Sequence, residues 1–221
     1  MTDEIQKIED SRVPKGRIDL IGCGRLGLRI GINIMQAHRG GPKIIGAFDG
    51  QKIDGGDVIF TMLGAEIGQN KTDFLKQLCT HNEKFRRVDS YTEYIDENNL
   101  DLVQGDVVII VIAGGNTIPT AAKIIKKAQE RGAVTIGTAG IFGFGNENIE
   151  IKDISEYDDN NPAVEELRAQ GITKDHLVIT TNKLIRDREP VTPYTLDEVA
   201  KIITMTALKE LRDINDKNSD C

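Results

Sequence analysis

The sequence predicts an α/β protein in which a mostly parallel β-sheet carries helices on both faces. Between residues 17 and 145, short apolar runs alternate with segments whose apolar residues recur at helical spacing. The run Asp106–Ala113 is apolar on both faces, as a central parallel strand must be. Because crossovers between parallel strands are right-handed in nearly all proteins, this order predicts a Rossmann-like topology.

The predicted elements follow one another from residue 17 onward. The strands are Ile18–Ile21, Lys43–Phe48, Asp106–Ala113 and Val134–Gly137. Helices are predicted from three sets of regularly spaced apolar residues: Leu28, Ile32 and Met35; Phe74, Leu75 and Leu78; Ile118, Ala121, Ala122, Ile125 and Ala128.

The remaining segments are predicted to belong to the same globular unit. Residues 1–16 form an N-terminal arm, residues 17–145 the Rossmann-like domain and residues 146–221 a C-terminal extension. In this extension, Leu177–Thr181 has the composition of an edge strand. The spacing Thr195–Glu198 matches a capping box, which predicts the start of the last helix. The apolar face of that helix is expected either to cover the sheet or to pair with a second subunit.

The composition is typical of a soluble cytoplasmic protein. The 221 residues carry a formal net charge of −7, which argues against a non-specific nucleic-acid binder. Three widely spaced cysteines indicate a reducing compartment, and the polar N-terminus lacks the pattern of a signal peptide. The longest apolar stretch, Val107–Ala113, is too short to cross a membrane. The histidines lack metal-ligand spacing, so no protein metal site is predicted.

The strongest functional signal is a glycine loop with the spacing GxGxxG. Glycines at this spacing let the chain turn tightly and let its backbone approach phosphate groups. The following helix offers unpaired N–H groups and a partial positive charge at its N-terminus. The loop therefore predicts a bound nucleotide without choosing among NAD, S-adenosylmethionine and ATP. The predicted phosphate site consists of Gly22, Cys23, Gly24, Arg25, Leu26 and Gly27.

Three further residues are predicted to contact the nucleotide or to shape its site. Asp49 ends the second strand, where a carboxylate can accept hydrogen bonds from ribose hydroxyls. Asp49 and Gly50 also form a common turn dipeptide, which is the alternative interpretation. Lys71 begins a predicted helix, where a cation is unfavourable unless it serves another purpose. A lysine that reaches over the glycine loop favours a polyphosphate, and hence ATP, over NAD.

The order of these pieces resembles the ThiF/MoeB family of adenylyltransferases, relatives of the ubiquitin-activating enzymes. The resemblance covers Arg17–Gly145 and includes the glycine loop, Asp49, Gly68–Lys71, the Asp106–Ala113 strand and Gly140–Gly143. It implies binding of ATP with magnesium, adenylylation of a carboxylate and release of pyrophosphate. It also implies a homodimer.

The chain departs from the family pattern at several positions. Ala47 stands where the first aspartate of an Asp-x-Asp pair is expected, and Val58–Ile59 replaces an Arg-Gln pair. Ala113–Asn116 stands where the family carries an aspartate after a strand. The family's zinc cysteines and thioester-forming cysteine have no counterparts, and its N-terminal arginine has only a weak one in Arg12. Thiol chemistry is therefore not expected.

An adenylating scaffold without thiol chemistry resembles the branch that makes the iron-guanylylpyridinol cofactor of a methanogen hydrogenase. This resemblance implies guanylylpyridinol as the carboxylate substrate and a later enzyme of the same pathway as a partner. Arg25 and Lys71 are the predicted catalytic residues, which stabilise charge on the phosphates, while Asp49 holds ribose or magnesium.

The acceptor is expected beside the nucleotide, because ligands of open parallel sheets bind outside the carboxyl ends of the strands. Ala113 and Gly114 are predicted to line the nucleotide side. Phe142 is predicted either to stack on a flat ring or to close the core. The predicted acceptor residues are Gly115, Asn116, Thr117, Thr138 and Phe142.

Two other functions are compatible with the same glycine loop. An NAD-dependent oxidoreductase also needs GxGxxG and an acidic residue about 20 positions later. This chain lacks an obvious catalytic base paired with a substrate-binding arginine for that reaction. A non-catalytic nucleotide-binding assembly factor would suit the missing acidic residues.

Overall fold

The computed structural model describes residues 2–10, 13–79 and 85–219, and the structural statements below concern those residues. They form seven strands: β1 (Arg17–Ile21), β2 (Ile44–Phe48), β3 (Arg87–Tyr91), β4 (Val107–Ile110), β5 (Val134–Thr138), β6 (Glu150–Asp153) and β7 (His176–Thr180). They form seven α-helices: α1 (Thr2–Asp10), α2 (Arg25–Met35), α3 (Val58–Met62), α4 (Lys71–Cys79), α5 (Ile118–Glu130), α6 (Pro162–Ala169) and α7 (Pro193–Ser219).

All seven strands belong to one sheet, and the Rossmann-like prediction is confirmed. The strand order is β3-β2-β1-β4-β5-β7-β6. Every pairing is parallel except that of β6 with β7. The order reverses between β1 and β4, so their carboxyl ends leave a crevice at that point.

Three strands differ from the sequence predictions: β3, β6 and β7. The strand β6 (Glu150–Asp153) lies in a segment rich in acidic and turn residues, where no strand was predicted. The half-exposed β3 (Arg87–Tyr91) was not predicted, because its sequence RVDSY has too little apolar alternation to mark a strand. The segment predicted as an edge strand is the interior strand β7, which pairs with β5 on one side and β6 on the other. Val178 and Ile179 are both buried, so β7 is covered on both faces, and the edge-strand prediction was wrong.

Helices cover both faces of the sheet. α2, α4 and α7 bury apolar side chains against one face, and α5 and α6 against the other. In α4, Phe74 and Leu75 are buried as predicted, but Leu78 is 39% exposed and Cys79 is buried in its place. No described helix has the length and hydropathy needed to span a membrane.

The terminal helix α7 covers the sheet, which decides between its two predicted roles. Its buried apolar residues are Leu196, Val199, Ala200, Ile203, Ala207 and Leu211. The helix begins at Pro193 rather than at Thr195, because Thr192 is the capping residue: its hydroxyl accepts from the Thr195 N–H at 3.3 Å. The Thr195 hydroxyl instead donates to the carbonyl of Gly143 at 2.9 Å.

Arg86 closes the carboxyl-terminal end of α2. Its guanidinium is 1% exposed and donates to five carbonyl oxygens. Those carbonyls belong to Ile34, Met35, Ala37, Gly40 and Pro42. Burial lowers the pKa of Arg86. The carbonyl dipoles at the end of the helix favour the buried cation.

Candidate active site

The glycine loop has the geometry that its spacing predicts. Gly22 has a φ of +97°, a conformation that residues with a side chain rarely adopt. A Cβ on Gly27 would stand 1.9 Å from the Gly22 carbonyl oxygen, so the loop and helix can pack only with glycine there. A Cβ on Gly24 would meet no atom within 4 Å. Gly24 therefore faces open space, as a residue that touches a ligand must.

The N-terminus of α2 is built to receive an anion. It has no side-chain cap, and its first turn contains no acidic residue. Arg25, the first residue of the helix, is exposed and has no ion-pair partner in the described parts of the chain. A cation in the first turn is unfavourable by itself, since the helix dipole is positive there. An anion at this position would stabilise both the arginine and the free N–H groups.

Asp49 fixes the glycine loop to the end of β2. Its carboxylate accepts from the backbone N–H of Cys23 at 2.8 Å and from that of Gln51 at 2.8 Å. Burial raises the pKa of the Cys23 thiol, so Cys23 has the properties of a packing residue rather than a nucleophile. Asp49 therefore lies at the end of β2, as predicted, and its hydrogen bond to Cys23 also holds the glycine loop in place.

A first cleft of about 550 Å³ lies between the glycine loop and the end of β2. Gly22, Gly24 and Asp49 form one side of it, and Ala113, Asn116 and Thr117 another. Gln51, Glu93 and Tyr94 also line the cleft, although none was predicted. Tyr94 packs on Gly50, where a Cβ would stand 2.6 Å from the tyrosine ring. Gln51 follows a predicted strand, whereas Glu93 and Tyr94 follow the unpredicted β3 and so carry no sequence signal.

Lys71 is buried beneath this cleft rather than on its surface. Its ammonium is 3.2 Å from the Asp57 carboxylate and donates to the Gln51 amide oxygen at 2.9 Å. It also lies 5.6 Å from the centre of the Phe60 ring. Gln51, which lines the cleft, therefore stands between Lys71 and the cleft. The pairing with Asp57 was missed because nothing in the spacing of Asp57 marks it.

A second cleft of about 400 Å³ opens on the other side of the β4 end. Thr138 and Phe142 line it together with Arg25 of the glycine loop. The backbone N–H of Phe142 donates to the Thr181 hydroxyl at 3.1 Å. The two clefts share a set of lining residues: Gly24, Val111, Ile112, Ala113 and Thr117.

The predicted acceptor residues are divided between the two clefts. Thr138 and Phe142 line the second cleft and Asn116 the first, while Thr117 lines both. Gly115 begins the 3₁₀ turn Gly115–Thr117. Ala113 and Gly114 were predicted on the nucleotide side: Ala113 lies at the junction of the clefts, whereas Gly114 lines the second cleft and not the first.

The inner part of the second cleft is apolar except for one histidine. Ala121, Ile125, Ala163 and Leu167 line it, and His176 of β7 adds an imidazole. Burial lowers the pKa of His176 to about 4, so the ring is neutral near pH 7. His176 carries no functional signal in the sequence, since its surroundings depend on strand pairing.

No cluster of three or more potential metal ligands occurs in the described parts of the chain. Arg12, His81 and Cys221 lie outside the described residues.

A search against models of known protein families finds no match. The chain is 41% identical over 207 residues to the uncharacterized protein MJ0693 of Methanocaldococcus jannaschii, a match that covers 94% of this chain and 81% of that protein. Guanylylpyridinol- and ATP-bound HcgE from Methanothermobacter marburgensis is 48% identical with a TM-score of 0.86, covering 92% of this chain and 98% of that one.

The fold also occurs in a more distant protein. E. coli tRNA N6-threonylcarbamoyladenosine dehydratase, TcdA, in complex with ATP is 16% identical, with a TM-score of 0.76. That match covers 97% of this chain and 91% of the other. At this identity the likeness concerns the fold.

Proposed function

The chain belongs to the HcgE family, and on that premise we propose that it adenylylates the carboxylate of guanylylpyridinol with ATP. The HcgE of Methanothermobacter marburgensis binds both molecules. In the proposed reaction, a carboxylate oxygen attacks the α-phosphorus of ATP. The bond from the α-phosphorus to the bridging oxygen breaks, pyrophosphate leaves with that electron pair, and an acyl-adenylate forms.

The observation that carries the proposal is the meeting of two clefts at Gly24. ATP occupies the 550 Å³ cleft and the acceptor the 400 Å³ cleft. Both volumes fall in the range of about 300–1,000 Å³ that small-molecule sites have. The shared lining residues then surround the α-phosphorus. A carboxylate in the second cleft attacks the α-phosphorus in line with the bond to the leaving pyrophosphate and on the side opposite to it.

The protein contributes positioning and charge stabilisation, which are the main demands of such a transfer. The backbone of Gly22–Gly27 and the exposed Arg25 bind the phosphates. Asp49 accepts from ribose hydroxyls with the lone pairs that its backbone partners leave free. Lys71 acts through Gln51, or on the phosphates after leaving Asp57. Thr117 contacts ligand at the junction of the clefts, Asn116 contacts it from the first cleft, and Thr138 and Phe142 contact the acceptor.

Magnesium is proposed as the counterion of the ATP phosphates. The described residues offer no cluster of three ligands, while Asp49 and Glu93 are carboxylates at the nucleotide cleft. This fits an ion that usually takes one or two protein carboxylates together with substrate phosphates. Its chemistry here would be neutralisation of phosphate charge.

We also propose that the protein is a homodimer located in the cytoplasm. Its proposed partner is a later enzyme of the same pathway. The apolar face of α7, first considered for the dimer, packs inside the subunit. Gel filtration checks the dimer: the proposal expects the mass of two chains at micromolar concentration. A mass of one chain contradicts it.

Pyrophosphate exchange tests the reaction directly. Purified protein with ATP, magnesium and guanylylpyridinol should move labelled pyrophosphate into ATP only when guanylylpyridinol is present. Hydroxylamine should trap the activated carboxylate as a hydroxamate. ATP binding without exchange would favour the assembly factor, and tight NAD binding without ATP binding would favour the oxidoreductase.

Two arginines of α2 provide a matched pair of variants. Arg25→Gln should slow exchange about 10- to 100-fold, because it removes a cation from the phosphates. Arg29→Gln, one turn along the helix, should leave exchange unchanged, since Arg29 pairs with Asp197 of α7 at 2.5 Å. Equal pyrophosphate-exchange rates in both variants would show that Arg25 does not act on the phosphates.

A further inference from the structure

We propose that the Nε2 atom of His176 accepts a hydrogen bond from the ring hydroxyl of the pyridinol, in the inner part of the 400 Å³ cleft. This inference rests on the proposed function, because it takes guanylylpyridinol as the acceptor. It adds a residue that selects for the hydroxylated ring.

We assign the ring proton of His176 to Nδ1 from its surroundings. Nδ1 lies 2.8 Å from the Thr135 hydroxyl oxygen, which is also 3.4 Å from the carbonyl of Asp175. With the hydroxyl proton directed at that carbonyl, the hydroxyl accepts from Nδ1–H. Nε2 therefore carries a lone pair and requires a donor.

No described residue supplies that donor. The hydrogen bonds of His176 run from its backbone N–H to Asp153, at 3.0 Å, and between Nδ1 and Thr135. The side chain is almost fully buried, so bulk water is a poor substitute. Because His176 lines the cleft and Nε2 has no protein donor, a ligand in the cleft that carries a donor can form this hydrogen bond.

The unpaired edge of the ring lies where the cleft is open. A Cβ on Gly137 would stand 2.7 Å from Nε2 and 3.0 Å from Cε1 of His176. Gly137 and His176 both line the cleft, so the glycine keeps this edge of the imidazole uncovered by a side chain. The walls formed by Ala121, Ile125 and Leu167 suit a flat ring. Among these apolar residues, His176 supplies a group that can form a hydrogen bond.

The cleft also gives the acceptor a direction. Gly24 and Arg25 line its outer end, and His176 its inner part. If the pyridinol ring enters the cleft first, its carboxylate faces the glycine loop, where the α-phosphorus is proposed to lie. One residue thereby recognises the ring hydroxyl while the opposite end of the ligand reacts.

Two ligands and two variants test the inference in binding titrations that require no reaction. Wild-type protein should bind guanylylpyridinol about tenfold tighter than the analogue with hydrogen in place of the ring hydroxyl. His176→Asn keeps a donor near the Nδ1 position but removes Nε2, so it should bind both ligands equally. His176→Gln, whose amide oxygen can reach the Nε2 position, should retain most of the preference.

The outcomes separate this inference from the proposed function. Equal binding of the two ligands by wild-type protein, or an unchanged preference in His176→Asn, would overturn the role of His176 while pyrophosphate exchange persists. Absence of both binding and exchange with guanylylpyridinol would overturn the proposed function as well. The comparison of ligands on wild-type protein remains decisive if His176→Asn does not fold.

Discussion

The two clefts that meet at Gly24 are built in different ways. The nucleotide cleft depends on backbone: a glycine loop, the first turn of α2 and a carboxylate that binds two N–H groups. The acceptor cleft depends on side chains from β4, α5, α6 and β7. A backbone site constrains residue types at fixed spacing and is visible in a sequence. A side-chain site is assembled by the fold and leaves no such spacing.

Gly24→Val should have the largest effect and tests the backbone character of the first cleft. The new Cβ meets no protein atom within 4 Å, so the fold should lose at most about 1 kcal/mol. ATP affinity should fall about 100-fold, since the side chain would occupy the space of the phosphates. Titration with ATP and thermal unfolding measure the two effects.

Gly55 provides the control, because a Cβ there also meets no atom within 4 Å and it lines neither described cleft. Gly55→Val should leave ATP affinity unchanged. If Gly24→Val also kept its affinity, the phosphates would not contact Gly24.

Lys71→Met should destabilise the fold. This variant tests whether Lys71 stabilises the structure as well as acting in the site. The sequence alone predicts that Lys71→Ala folds normally and loses activity. The structure changes that expectation, because loss of the ammonium leaves the Asp57 carboxylate nearly buried and unpaired. Urea unfolding should show a loss of about 3 kcal/mol.

Asp57→Asn combined with Lys71→Met should regain most of the lost stability. Its pyrophosphate exchange should stay low, because Lys71 is proposed to act on the phosphates. Wild-type exchange in the double variant would show that Lys71 is only structural.

The second cleft predicts a pH effect on stability through His176. Its pKa is about 4 in the folded protein and 6.5 as the reference value, so protons bind preferentially to the unfolded chain between these values. Stability is therefore lost as the pH falls through 6.5 toward 4. Between pH 7 and pH 5 this residue should cost about 2 kcal/mol.

Urea unfolding at both pH values, repeated with His176→Asn, isolates that contribution. The variant should lose about 2 kcal/mol less than wild type on acidification. An equal loss in both proteins would mean that His176 titrates normally.

Phe142→Ala should have the smallest effect and tests whether the outer wall of the second cleft binds ligand. Stacking beyond area burial is worth about 0.5–1.5 kcal/mol, so acceptor affinity should fall about 2- to 10-fold. ATP affinity should stay unchanged. Equal losses for both ligands, or a lower melting temperature alone, would make Phe142 a packing residue.

The sequence predicted the fold where burial follows a simple period. The fully apolar run of β4 and the spacing of α5 identified both elements, and the spacing of the glycine loop predicted its backbone geometry. β3 and β6 were missed because their sequences contain few apolar residues, and β7 was misplaced because strand order decides which strand is at an edge. The predicted resemblance to the branch that makes the iron-guanylylpyridinol cofactor is confirmed by HcgE at 48% identity, and TcdA shares the fold.

The sequence was less informative about residues whose partners are distant. Lys71 was singled out correctly as an unusual helix start, but its partner Asp57 carries no local signal. His176 gains its environment from Thr135 on a neighbouring strand, 41 positions away in the chain. Such pairs become visible only when the strands are placed side by side.

Arg86 ties the geometry of the loop to the far side of the domain. Its guanidinium binds carbonyls at the C-terminal end of α2, while the first residues of the same helix, Arg25–Gly27, belong to the glycine loop. A helix of 11 residues spans about 16 Å and resists compression along its axis. The position of the loop along the axis of α2 is therefore held by a residue that lines neither of the two clefts.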